Sequence, residues 1–97
     1  MSALSQQRIR LLPEVMARRV GTEIFFLNVE RACYYGLEEV GARMFSLLTE
    51  GLSVEDVVAR LQIEYSVEPE VLRRDIESLI GELTRHELIQ LVPPSAV

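Results

Sequence analysis

The hydrophobic period of this chain changes once, at Glu38, and that change fixes its class. Before it the pattern is strand-like. Residues 14–19 (EVMARR) alternate, with Val15 and Ala17 on one side and Met16 and Arg18 on the other. Residues 23–27 (EIFFL) are β-branched and aromatic, as a buried strand requires. The intervening VGT is a tight connection in which Gly21 is free to take positive φ. Asn28 opens a second turn, NVER, and residues 31–36 (RACYYG) form a third strand. Three strands joined by short turns make an antiparallel meander. The third lies at an edge, because the chain leaves it to enter helices.

After Glu38 the period is helical. Val40, Met44, Phe45, Leu47 and Leu48 form one stripe, and Gly51 stands where a helix C′ residue belongs. Ser53 and Asp56 have the spacing of a capping box, with Asp in place of the usual Glu. Val54, Val57, Val58 and Leu61 line the second helix, which ends near Tyr65. Pro69 suits the first turn of a third helix, where its missing N–H costs nothing. That helix carries Leu72, Ile76, Leu79, Ile80 and Leu83 on one face, and Leu88, Ile89 and Leu91 close the core. The predicted fold is α+β and winged helix-turn-helix-like, a three-stranded antiparallel sheet followed by three α-helices. Residues 1–13 read as an N-terminal segment, 14–91 as the domain and 92–97 as a loose C-terminal tail.

Ninety-seven residues, 48% apolar, make one globular domain with a single core. One cysteine, Cys33, allows no intrachain disulfide. No stretch has the length of a signal peptide's apolar run or of a membrane span, so the expected location is cytoplasmic, with no membrane partner. The net charge is −5 and is unevenly placed. Residues 1–37 hold five Arg against three Glu, whereas residues 38–97 hold five Arg against twelve acids.

The residues offer little for catalysis. His86, the only histidine, falls in the last turn of the third helix, where the helix dipole favours a cation. Cys33 has no histidine near it in sequence and reads as an ordinary strand residue. Metal-ligand spacings, phosphate loops and nucleophile elbows are absent, so no cofactor is expected and the chain reads as a binding module.

The order of elements also carries a resemblance. FFLN at 25–28, EGLSVEDVVARL at 50–61 and DIESLIGEL at 75–83 resemble, in order and spacing, the pyrroloquinoline-quinone synthesis D protein family. This family comprises the precursor-peptide recognition elements of ribosomally made, modified peptides. The stretch YYGLEEVGARMFSLL looks most like the stand-alone members from lasso-peptide pathways, through Tyr34, Tyr35, Leu37, Glu38, Gly41, Met44 and Phe45. Glu38 stands where that pattern has Asn, a departure that weakens a helix cap and leaves the binding site alone. The resemblance covers roughly residues 14–91. It implies no catalytic activity. It implies binding of a precursor leader peptide and its presentation to a separate leader peptidase and then a cyclase. The same fold serving a radical enzyme of quinone-cofactor synthesis is the alternative.

The mode the resemblance implies is strand addition against the third strand, beside the third helix. The residues agree with it independently. An open edge strand is an aggregation liability that proteins usually blunt, and RACYYG has only Arg31 at its start for that purpose. Peptide-pairing residues are therefore expected at Arg31, Ala32, Cys33, Tyr34 and Tyr35. One of the two tyrosines should pack in the core and the other face the groove; the sequence leaves open which. On the third helix, Val71, Asp75 and Ser78 share one flank, and Arg73, Glu77 and Thr84 share the other. Val71, Asp75, Ser78 and the rim of Leu79 are expected to form the groove wall, with Arg74 as a rim charge. The plainer alternative makes Val71 and Leu79 core and Asp75 solvated.

A winged-helix DNA reader would use Arg73, Arg74 and Arg85 of the third helix on phosphates. That helix and its end also hold Glu70, Asp75, Glu77, Glu82 and Glu87, and the chain is acidic, so no nucleic-acid partner is expected.

Overall fold

A computed structural model describes residues 8–92, the Cys33 side chain excepted. The N-terminal seven residues and the PPSAV tail lie outside the described residues. The elements run β1 (Arg8–Leu11), β2 (Val15–Val20), β3 (Glu23–Asn28), β4 (Cys33–Leu37), α1 (Glu39–Thr49), α2 (Val54–Tyr65), α3 (Pro69–Arg85) and β5 (Ile89–Val92).

The meander is present in the order β2-β3-β4, with β4 at an edge. Val20 pairs with Glu23 across a two-residue turn in which Gly21 takes φ +64°. β4 starts two residues later than the sequence indicates. Arg31 and Ala32 belong to the turn, Ala32 in the left-handed region at φ +54°. Asn28 is the cause. Its side-chain Oδ1 accepts the Arg31 N–H at 3.1 Å, which holds residues 28–31 in a turn before the chain can extend.

β1 and β5 had no counterpart in the sequence reading. They come from opposite ends of the described chain and pair antiparallel as a separate two-stranded sheet, Arg8 opposite Val92 and Leu11 opposite Ile89. Four-residue strands whose only partner is so distant leave no local signal. Leu88 and Ile89 are buried as expected. Leu91 does not close the core: it sits at the far end of the ribbon, 39% exposed.

The inner face of the meander packs on the helices. Phe26 is fully buried and meets Phe45 edge-to-face, with ring centroids 4.8 Å apart. Leu47, Leu48, Val57, Leu61, Leu72, Ile76 and Leu83 complete the centre. The helix ends follow the sequence signals. Gly51, at φ +94°, follows the α1 C-cap. Ser53 and Asp56 form both bonds of the capping box, at 3.2 and 3.3 Å, a motif whose loss typically costs about 1 kcal/mol. Glu38 is the N-cap of α1 and its side chain makes no capping bond.

Two arginine forks tie the helices together. Arg43 donates to both carboxylate oxygens of Glu64, joining α1 to α2. Arg73 does the same to Glu55, joining α3 to α2. Each fork holds its glutamate below the ordinary carboxylate range, chiefly through the hydrogen bonds themselves.

Candidate functional site

Strand alternation decides what β4 offers. The Val29 N–H donates to the Glu14 carbonyl at 3.0 Å, just beyond the β2–β3 ladder. Odd-numbered residues of β3 therefore turn their backbone groups to β2, and Ile24, Phe26 and Asn28 turn theirs to β4. Their partners are Leu37, Tyr35 and Cys33. Tyr34 and Gly36 are left with N–H and C=O groups pointing off the free edge. Both residues are exposed, and among the described residues no backbone partner reaches them from that side. The other edge strand, β2, carries Arg18 and Arg19, and Arg19 reaches across to the Ser46 hydroxyl. One edge is guarded by charge and the other is open.

Beside the open edge lies a groove of about 340 Å³ between β4, α1 and α3. Tyr35 of β4, Val40, Gly41 and Met44 of α1, and Asp75, Ser78, Leu79 and Glu82 of α3 line it. Tyr35 is half-buried, packed against the core on one side and open to the groove on the other. Its ring also lies 4.7 Å from that of His86, whose Nε2 stands 3.5 Å from a Glu82 oxygen. Depressions of about 410 and 400 Å³ exist elsewhere, one along the β1–β5 ribbon and one on the outer side of α2. Neither includes a residue of β4.

The two tyrosines divide differently from the expected core-and-groove pair. Tyr35 takes both roles. Tyr34 points to the outer face of the sheet, 69% exposed, and stacks on Phe25 at 5.9 Å. Gly36 leaves room for the Phe25 ring, which a Cβ there would meet tightly at 3.3 Å. On the outer face Tyr34 continues an apolar row with its cross-strand neighbours Leu27 and Met16.

Of the α3 residues read from sequence, Asp75, Ser78 and Leu79 come together in the groove. Val71 lies one turn before Asp75 and is exposed, short of the lining, and Arg74 is exposed outside it. Arg31 and Ala32 sit in the turn that precedes the edge, and Arg31 pairs with Glu87 at 2.6 Å. Cys33 contributes its backbone to the β3 pairing.

Sequence reasoning missed four lining residues. Glu82 continues the Asp75–Ser78 flank by one more turn, a signal that was legible. Val40, Gly41 and Met44 were not, because Val40 and Met44 fit the core stripe of α1 equally well.

The backbone, the groove and the order of elements define a winged-helix-like α+β domain with one open sheet edge beside an apolar cleft. The chain belongs to the coenzyme PQQ synthesis protein D (PqqD) family, whose profile matches residues 23–89. Two solved structures are similar to it. One is TbiB1 in complex with the TbiA(beta) leader peptide, 31% identical, with TM-score 0.78 over 84% of this chain and 94% of that one. The other is a lasso peptide synthetase B1 complexed with the leader peptide, 28% identical, with TM-score 0.81 over 86% and 98%. No curated protein matches the chain by sequence.

Proposed function

We propose that this protein binds the leader segment of a ribosomally made precursor peptide, of the lasso class, and presents it to a separate leader peptidase and then a cyclase. The leader adds as a fourth strand on the free edge of β4, bonding to the Tyr34 and Gly36 backbone. Its alternate side chains enter the groove between β4, α1 and α3. The observation that carries this reading is the pairing of an unguarded edge with an apolar groove on the same side of the sheet. Two similar structures hold leader peptides, which supports the same reading.

The protein itself does no chemistry in this reading and acts in the cytoplasm. Among the described residues no group of His, Cys, Asp and Glu is arranged to hold a metal, and no helix is long and apolar enough to cross a membrane. Two of the three arginines that a DNA reader would use are engaged with acids, Arg73 with Glu55 and Glu70, and Arg85 with Glu82. The family description leaves room for a second reading, service to an enzyme of quinone-cofactor synthesis. The lasso reading takes precedence because both similar structures are complexes with leader peptides, one of them of a lasso peptide synthetase B1, and the chain covers each of them almost completely.

The test is titration of fluorescently labelled synthetic leaders from candidate precursors, with labelled duplex DNA as control. Saturable leader binding that fails when the β4 edge is blocked supports the reading. Binding indifferent to the edge, or a sequence-specific DNA shift, overturns it.

A further inference from the structure

The charge of the groove carries a statement about what the peptide must contain. This rests on the strand-addition reading above. Two carboxylates line the groove, Asp75 and Glu82, and no arginine does. They are not equivalent. Glu82 already has Arg85 at 2.9 Å and His86 at 3.5 Å. Asp75 is exposed and has no ion-pair or hydrogen-bond partner among the described residues. Its nearest cationic neighbour in sequence, Arg74, lies outside the lining. Beside Asp75 the floor is apolar: Tyr35, Val40, Met44 and Leu79.

Spacing turns this into a register. Asp75 and Leu79 are one helical turn apart, about 6 Å along α3. Alternate residues of an extended peptide, which project to the same side, are about 7 Å apart. A strand lying along the groove that seats an apolar side chain over Leu79 and Tyr35 brings its next inward side chain to Asp75. An acid at that position would be held against Asp75 in a partly desolvated cleft, a like-charge contact that opposes binding. A Lys or Arg there meets an unpaired carboxylate.

We propose that the groove selects a peptide strand carrying a basic residue two positions from its apolar anchor, and that Asp75 is the residue that reads it. Asp75 thus acts as a specificity determinant, and the apolar floor supplies most of the affinity.

The experiment is selection of displayed random peptides on immobilised wild-type protein, on Asp75→Asn and on Asp75→Arg. Selected peptides are then titrated against all three and against Tyr34→Pro. The expected wild-type consensus is an aromatic or aliphatic anchor with Lys or Arg next but one. Asp75→Asn should leave that position unconstrained and weaken Lys-bearing peptides about threefold to fivefold, the size of a solvent-accessible charge pair. Asp75→Arg should turn the preference to Asp or Glu. Peptides that lose binding in Tyr34→Pro yet show no basic preference, or keep it in Asp75→Arg, overturn the charge rule and leave strand addition standing. If nothing is enriched, or the enriched peptides bind Tyr34→Pro normally, strand addition falls, and the rule with it.

Discussion

The Asn28 side-chain amide donates to the backbone carbonyl of Glu87 at 2.9 Å, joining the end of β3 to the turn that follows α3. The same side chain accepts the Arg31 N–H. Asn28 is fully buried, so its amide serves the turn before the open edge and the helix that walls the groove at once. The Arg31–Glu87 ion pair covers the junction from outside. The distance between the two sides of the groove is thereby tied to one residue.

Asn28→Ala should therefore be costly. It leaves the Glu87 carbonyl and the Arg31 N–H without their partner in a buried place, and a loss of about 2–4 kcal/mol is expected. Urea unfolding followed by circular dichroism measures it. A loss within 0.5 kcal/mol, roughly the effect of an ordinary surface substitution, would mean that other contacts hold the junction.

Proline substitution should separate the two tyrosines. Tyr34→Pro removes an N–H that points off the free edge. The fold should survive, as judged by circular dichroism, while peptide affinity drops by tenfold or more, roughly 1.4 kcal/mol. Tyr34→Ala controls for the lost ring and should bind normally, since that ring faces away from the groove. Tyr35→Pro removes a bond to Phe26 in the sheet interior and should unfold the domain. The opposite pattern would reverse the assigned alternation.

Filling the groove should block it without harming the fold. Ser78 is an exposed lining residue of α3, so Ser78→Trp should abolish peptide binding with a stability change of about 0.5 kcal/mol or less. Thr84→Trp, on the other flank of the helix, should bind as the wild type does. Equal affinity for all three proteins in a fluorescence titration would place the peptide elsewhere.

The Glu55–Arg73 fork sets a pH dependence of stability. The folded state lowers the Glu55 pKa through the Arg73 hydrogen bonds. The stabilisation is therefore present above the unfolded glutamate value, about 4.3, and is lost as pH falls through the folded one. Glu55→Gln should melt below the wild type at pH 7, modestly because both groups remain partly exposed to solvent. The gap in Tm should close on acidification toward pH 3. A gap that stays constant across that range would assign the difference to packing.

How much was legible in advance depends on how far each signal reaches along the chain. The capping box at Ser53 and Asp56, Pro69 at the head of α3 and Gly51 after α1 are local chemistry, and the structure has each where the sequence puts it. The meander and its edge also follow from short-range alternation. The start of β4 did not, because Asn28 captures Arg31 and holds two more residues in the turn. The β1–β5 ribbon was illegible, since neither strand has a partner nearby in sequence. Within the groove, Asp75, Ser78 and Leu79 followed from counting helical angles from the core direction. The α1 side was hidden because an apolar residue looks the same whether its neighbour is the core or an empty cleft.

The ribbon has a kinetic meaning. Hairpins such as β2–β3 and the adjacent α2–α3 pair close short loops, whereas Arg8 meets Val92 only when nearly the whole described chain has been brought round. Loop-closure entropy rises with the length enclosed, and contacts of high sequence separation are slow to be rewarded. The meander and helices can assemble first, so the ribbon is the expected last step of folding and the first to fray. Opening it would uncover Ile9 and Ile89 while the open strand and its groove, built from other segments, stay intact. Local unfolding in this domain should begin at the β1–β5 ribbon and spare the face where a peptide would sit.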